Sequence, residues 1–125
     1  MKRVLLTGAA GYIGSHVAVE LIAAGYEVIG VDNFSNSTPK VLDGIEKIAG
    51  KRIDFMEVDC TDYQAFEKVF EQYPDIQAAI HFAAFKAVGE SVEQPVKYYR
   101  NNLDSLVNLI ELMTTKAKGA NIVFS

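Results

Sequence analysis

The chain has 125 residues, half of them hydrophobic, and a formal charge of −4; that suits one domain with its own core. The charges form no basic stripe, which argues against nucleic acid or an anionic membrane surface as partner. No apolar run approaches bilayer length, and the single cysteine, Cys60, excludes an internal disulfide and fits a cytoplasmic protein.

Residues 2–7 read as a strand, and Met1-Lys2-Arg3 runs straight into it. The stretch a signal peptide would need is therefore the strand itself. Gly8, Gly11 and Gly14 follow as Gly-x-x-Gly-x-x-Gly. A helix is expected over about 12–24, with Ile13, Val17, Leu21 and Ala24 on one face and Gly25 as its stop. A second strand covers about 27–31. The polar loop Asn33-Phe34-Ser35-Asn36-Ser37 leads to a helix start at Ser37/Thr38 and Pro39, and Gly50 closes that helix after Ala49.

Ile53 to Val58 reads as the third strand, and Asp59-Cys60-Thr61-Asp62 caps a helix whose core stripe is Phe66, Val69, Phe70 and Tyr73. Pro74 ends that helix. Ile76 to Phe82 is a near-continuous apolar run of the kind buried in parallel sheets. Gln94-Pro95 opens a long helix with Val96, Tyr99, Leu103, Leu106, Ile110 and Met113 as its expected buried face. A fifth strand begins at Asn121. Alternating strands and helices predict an α/β, Rossmann-like, doubly wound parallel sheet in the order 3-2-1-4-5, truncated after strand five. The ligand crevice then falls between strands 1 and 4. We expect residues 1–125 to be one incomplete domain, with an exposed apolar surface beside strand five that invites self-association.

A strand turning through glycines into a helix places backbone amides and the positive end of a helix dipole where a pyrophosphate can sit. Gly8 would permit the tight turn, Gly11 the approach of a phosphate, and Gly14 the packing of helix on strand. A glycine-rich loop can also exist without a ligand. Asp32, however, closes the second strand about twenty residues on, where dinucleotide folds place a carboxylate against the adenosine ribose hydroxyls. A carboxylate there repels a 2′-phosphate and favours NAD over NADP. Taken alone, without the glycine motif, Asp32 next to Asn33 reads as a strand-end turn former. His16 and His81 have no Cys or carboxylate neighbours at metal-ligand spacing, so no metal is expected and both read as structural.

Thr7-Gly8-Ala9-Ala10-Gly11-Tyr12-Ile13-Gly14-Ser15-His16 resembles the opening of the extended short-chain dehydrogenases. The runs Asp32 to Ser37, His81 to Ser91 and Tyr98-Tyr99-Arg100-Asn101-Asn102 narrow the resemblance to the UDP-glucose 4-epimerase family. The resemblance covers the whole chain. It implies a tightly held NAD that takes hydride from the sugar C4 and returns it on the other face of a 4-keto sugar. A Tyr-x-x-x-Lys pair handles the hydroxyl proton, UDP-glucose and UDP-galactose are the substrates, and the assembly is a homodimer.

The same resemblance assigns Tyr12 and Ile13 amides to the pyrophosphate and Asn33, Phe34, Ser35, Asn36 and Ser37 to the adenosine side. Asp59 and Cys60 flank the adenine, although helix capping explains them as well. Phe82, Ala83, Ala84, Phe85 and Lys86 line the crevice, with Lys86 reaching a cofactor oxygen, and Asn101 lies near the cofactor. As plain sequence, those positions are a polar loop, a solvated lysine and a polar spot on a packed helix. Two departures are Ala9 and Ala84, where the family often has Gly. The Tyr-x-x-x-Lys pair is expected beyond residue 125 and the catalytic hydroxyl slightly after Ser125, so no catalytic residue is assigned in this chain. The alternatives are another NAD-dependent nucleotide-sugar epimerase or dehydratase, or a dinucleotide-binding module without catalysis.

Overall fold

Short, largely apolar runs alternate with stretches apolar on one side, and the backbone follows that alternation. The structure is a computed structural model and describes residues 2–34, 38–82 and 95–124. In chain order the elements are β1 (Arg3–Thr7), α1 (Tyr12–Ala23), β2 (Glu27–Asp32), α2 (Lys40–Ala49), β3 (Asp54–Glu57), α3 (Tyr63–Gln72), β4 (Ile76–His81), α4 (Pro95–Lys116) and β5 (Asn121–Phe124).

All strand pairs are parallel, and the sheet order is β3-β2-β1-β4-β5, as the sequence predicts. From β1 the chain winds outward to β2 and β3, then crosses back to β4 on the other side of β1. The winding reverses between β1 and β4, and their carboxyl ends border the crevice expected at such a switch point.

Adjacent residues of β1 serve opposite faces of the sheet. Leu5 packs with Phe66, Val69 and Phe70 of α3 and Leu109, Leu112, Met113 and Ala117 of α4. Leu6 packs with Ala18 of α1 and Leu42 and Ile45 of α2. Both leucines are fully buried, and each contributes about 1.5–3 kcal/mol relative to exposure. At the amino end of the sheet, Arg3 bridges Glu27 and Asp75 and lies 5.4 Å from the Tyr73 ring centre.

Two helices present other faces than their apolar periodicity predicts. In α1 the fully buried residues are Gly14 and Ala18, whereas Ile13 is half exposed and Ala24 lies at the surface. The reason is distance: a Cβ on Gly14 would lie 2.1 Å from the Gly8 carbonyl oxygen. Only small residues fit that contact line, and Val17, Leu21 and Ile22 pack on its flanks.

In α4 the buried stripe is Ser105, Leu109, Leu112, Met113 and Ala117, while Val96, Leu103 and Ile110 are exposed at 65%, 47% and 43%. Apolar residues run round much of this helix, so two stripes compete. The stripe that faces the sheet is the one carrying the buried, hydrogen-bonded Ser105. The Tyr99 side chain lies outside the described residues. The expected exposed apolar surface includes Val123 of β5, 56% exposed.

The helix ends follow their local chemistry. Gly50 closes α2 in the left-handed region at φ 73°, and Asp62 caps α3 by accepting from the Ala65 amide. α2 begins after Pro39, with no side chain of its N-cap bonded to the first turn.

Gly14→Ala is expected to destabilise the protein by about 3 kcal/mol, because backbone rather than a movable side chain blocks the new methyl. Gly44→Ala, inside α2 with open space around it, should instead stabilise by about 0.5–1 kcal/mol. Denaturant midpoints of the two variants on either side of the parent would establish the contrast; equal midpoints would refute it.

Cys60 is 4% exposed. Burial first, then the charges of Asp59 and Asp32, push its thiol far above the ordinary value. The thiolate consequently forms first in the unfolded chain, and stability should fall as pH rises from about 8 to 10. Unfolding free energy measured over that window should lose part of its slope in Cys60→Val. An unchanged slope would mean the thiol is reachable by water.

Candidate functional site

β1 ends in a turn that only glycine enters easily. Gly8 sits at φ 71°, and the Gly8 and Ala9 amides both donate to the Val31 carbonyl, at 2.8 and 3.2 Å. Gly11 then caps α1 with extended backbone, and its own amide donates to Gly8 O at 3.0 Å. The next amides, those of Tyr12, Ile13 and Gly14, find no acceptor among the described residues. No acidic side chain occupies the first turn of α1. This helix end thus carries uncompensated positive dipole. A Cβ at Gly11 would stand 3.3 Å from Gly8 O and crowd the turn. The Ala9 methyl is accommodated by Gly30, whose own Cβ would lie 2.8 Å from it. This departure from the family's glycine therefore turns into the core.

Asp32 ends β2 beside this turn. One carboxylate oxygen accepts from the Ala10 amide at 3.0 Å and the other from the Phe34 amide at 2.8 Å. The second bond holds Phe34 at φ 58°, a left-handed conformation uncommon for a bulky residue. Its ring packs against Phe55 at 5.3 Å. Asn33, between them, is exposed.

β3 brings a second carboxylate to the same edge. The Val58 amide donates to the Asp32 carbonyl at 3.0 Å, which joins the two strand ends. Asp59 is exposed, and its Oδ1 accepts from the Thr61 amide at 2.9 Å and the Thr61 hydroxyl at 2.7 Å. Asp62, not Asp59, caps α3. The Asn108 side-chain amide of α4 donates to the Cys60 carbonyl at 2.9 Å.

Beneath the crevice, buried side chains tie β1, β4 and α4 together. The Phe82 amide donates to Thr7 through both its carbonyl, at 3.0 Å, and its hydroxyl, at 3.1 Å. Thr7 Oγ1 lies 2.7 Å from His81 Nδ1, and Ser105 Oγ lies 3.5 Å from His81 Nε2. Ser105 Oγ also donates to the Asn102 carbonyl at 3.2 Å. His16 is exposed, with Nδ1 at 2.7 Å from the Tyr12 carbonyl.

The structure therefore gathers Gly8, Gly11, Tyr12, Ile13, Gly14, Asp32, Asn33, Phe34, Asp59, Cys60 and Phe82 at the carboxyl ends of β1 to β4. Ser35, Asn36, Ser37, Ala83, Ala84, Phe85 and Lys86 lie outside the described residues; Asn101 lies on α4, but its side chain does not belong to them. Sequence reasoning missed Thr7 and the Ala10 amide. A hydroxyl ending an otherwise apolar strand was the available signal for Thr7; nothing local marks Ala10. Chemically, the helix end can take an anion, and Asp32 can accept from neighbouring hydroxyls.

The model of the family described as NAD dependent epimerase/dehydratase matches residues 4–125. The UDP-glucose 4-epimerase of Schizosaccharomyces pombe is 50% identical over 122 residues, covering 98% of this chain and 34% of the relative. That of Bacillus subtilis is 49% identical over 122 residues, with 98% and 35% covered. Among solved structures, the UDP-glucose 4-epimerase of Bifidobacterium longum in complex with NAD+ and UDP superposes with a TM-score of 0.94. It is 44% identical, and the match covers 99% of this chain and 36% of that one. The chain thus spans about a third of the length of these relatives. Among the described residues, no helix is long and apolar enough to cross a membrane. With the match running from the first strand to the last residue, the chain belongs to the NAD dependent epimerase/dehydratase family.

Proposed function

We propose that residues 1–125 are the NAD-binding part of a longer UDP-glucose 4-epimerase that interconverts UDP-glucose and UDP-galactose. The observation that carries this reading is the pairing of the open α1 amides with Asp32. One end takes the pyrophosphate and the other the ribose hydroxyls, as a dinucleotide lying across the crevice requires. The relatives in this family at 50% and 49% identity are UDP-glucose 4-epimerases.

The residues present fit the cofactor. Gly11 has no side chain to block a phosphate, and Tyr12, Ile13 and Gly14 offer donors. Asp32 keeps its orientation through the Ala10 and Phe34 amides, so its remaining lone pairs are aimed before a ligand arrives. Asp59 keeps Oδ2 for the adenine amine, and Phe82 stands at the carboxyl end of β4, on the border of the crevice. Bound NAD supplies the hydride chemistry; this chain's residues hold, orient and shield.

The proton step needs a base that is elsewhere, since no Tyr-x-x-x-Lys occurs in residues 1–125. The full protein would act in the cytoplasm as a homodimer, on the family resemblance. Residues 1–125, expressed alone, are expected to turn over no UDP-galactose, and measurable turnover would overturn that division of labour.

Calorimetric titration of the full-length protein, stripped of cofactor, should show saturable NAD binding and much weaker NADP binding. Asp32→Ala removes two charge-assisted hydrogen bonds to the ribose and should weaken NAD binding by about 10- to 100-fold. It should also narrow the preference over NADP. Equal affinity for both cofactors in the parent, or an unaffected Asp32→Ala, would count against the assignment.

A further inference from the structure

The sheet-facing side of α4 carries the buried Ser105 and, one turn on, the partly buried Asn108, and both reach strand termini at the carboxyl edge of the sheet. Ser105 meets His81 at the end of β4. Asn108 reaches the Cys60 carbonyl beyond the end of β3, at 2.9 Å. The second contact has no part in holding the pyrophosphate or the ribose.

The segment it grips is otherwise held by its own neighbours. Asp59 Oδ1 binds Thr61, the Asp62 amide donates to the Asp59 carbonyl at 2.9 Å, and Asp62 turns toward α3. These bonds shape the turn but do not fix it against the sheet. Three contacts do: the Val58 amide on the Asp32 carbonyl at the start of the segment, the Cys60 side chain, sunk in the core with Phe66 and Leu109, and the Asn108 amide, which alone grips the backbone beyond Asp59. A carbonyl at a residue 4% exposed has little water to turn to, so losing its donor would pull the turn toward solvent. Asp59, immediately before Cys60, would move with it.

We propose that Asn108 is a positioning residue for the adenine end of the cofactor site. It acts through the Cys60 carbonyl to hold Asp59 where its open oxygen meets the adenine amine. Asn108 itself touches no ligand. The assignment rests on the proposed function, in which Asp59 and Cys60 flank the adenine. Its specific content is that the cost of losing Asn108 is spent at Asp59, not spread over the fold.

A double-mutant cycle on the full-length, cofactor-stripped protein tests this, with NAD and AMP as the titrated ligands. Asn108→Ala should weaken both by the same factor, about 3- to 10-fold. Asn108→Asp, equal in size but without the donor, should lose at least as much, and Asn108→Gln, which keeps an amide donor, should recover most of the affinity. In an Asp59→Ala background the Asn108→Ala loss should shrink below about twofold, whereas in an Asp32→Ala background it should persist in full.

Undiminished AMP binding by Asn108→Ala and Asn108→Asp overturns the role of Asn108 and leaves the dinucleotide reading standing. A loss of equal size in the Asp59→Ala background also overturns it, because a purely structural bond would give that result. If the parent protein binds neither NAD nor AMP, the dinucleotide reading itself fails and the assignment falls with it. Should Asn108→Ala not fold, the same cycle run with Asn108→Asp decides.

Discussion

The Cβ position of Gly14 lies 2.1 Å from the carbonyl oxygen of Gly8, and the geometry of the crevice depends on that approach. A helix this close to the strand that precedes it must begin immediately after the turn, leaving no length for a capping side chain. Its first amides then stand open at the strand end, with Gly11 as a bare cap. Any larger residue at position 14 lifts α1, and the amides of Tyr12 and Ile13 move away from the sheet with it. The close packing and the anion-accepting helix end are therefore one constraint seen from two sides.

Asp32 carries that constraint sideways. One oxygen takes the Ala10 amide from the β1–α1 turn, the other takes the Phe34 amide, and the Asp32 carbonyl takes Val58 from the end of β3. A single residue thus couples the glycine turn, the loop after β2 and the loop after β3. Its orientation is set by backbone donors, whose positions follow from the sheet, more than by side chains that could rotate. Such a carboxylate meets a ligand already ordered, so little orientational freedom remains to be lost on binding. The left-handed Phe34 is the local strain this arrangement accepts, held by the Asp32 bond and by ring packing on Phe55.

The features legible in the sequence are those whose causes are local. Gly8, Gly14 and Asp32 announce themselves by residue type and spacing, because turn geometry and strand-end chemistry act within a few residues. The strand order follows from alternation and crossover handedness. The faces of α1 and α4 were not legible in the same way. Periodicity counts apolar residues, yet the contact line of α1 is set by a backbone distance that favours Gly14 and Ala18 over Ile13. In α4 a serine occupies the buried stripe because His81, distant in sequence, meets it there. Asn108 escapes notice for the same reason: its partner is a backbone carbonyl 48 positions away, and a backbone carbonyl has no residue type to read.

The polar contacts of α4 explain why a long helix with apolar residues on several sides settles in one orientation. Packing alone discriminates weakly between a stripe through Leu109, Leu112 and Met113 and one through Leu103, Leu106 and Ile110, since both are aliphatic. Hydrogen bonds do discriminate. Turning the helix would strip Ser105 from His81 and Asn108 from the Cys60 carbonyl, and buried polar groups left without partners cost about 1–3 kcal/mol each. Those two contacts favour this face, and they terminate at the end of β4 and just beyond the end of β3. The orientation of the helix and the shape of the crevice edge are consequently decided together: a substitution that frees the helix to turn also releases the loop after β3.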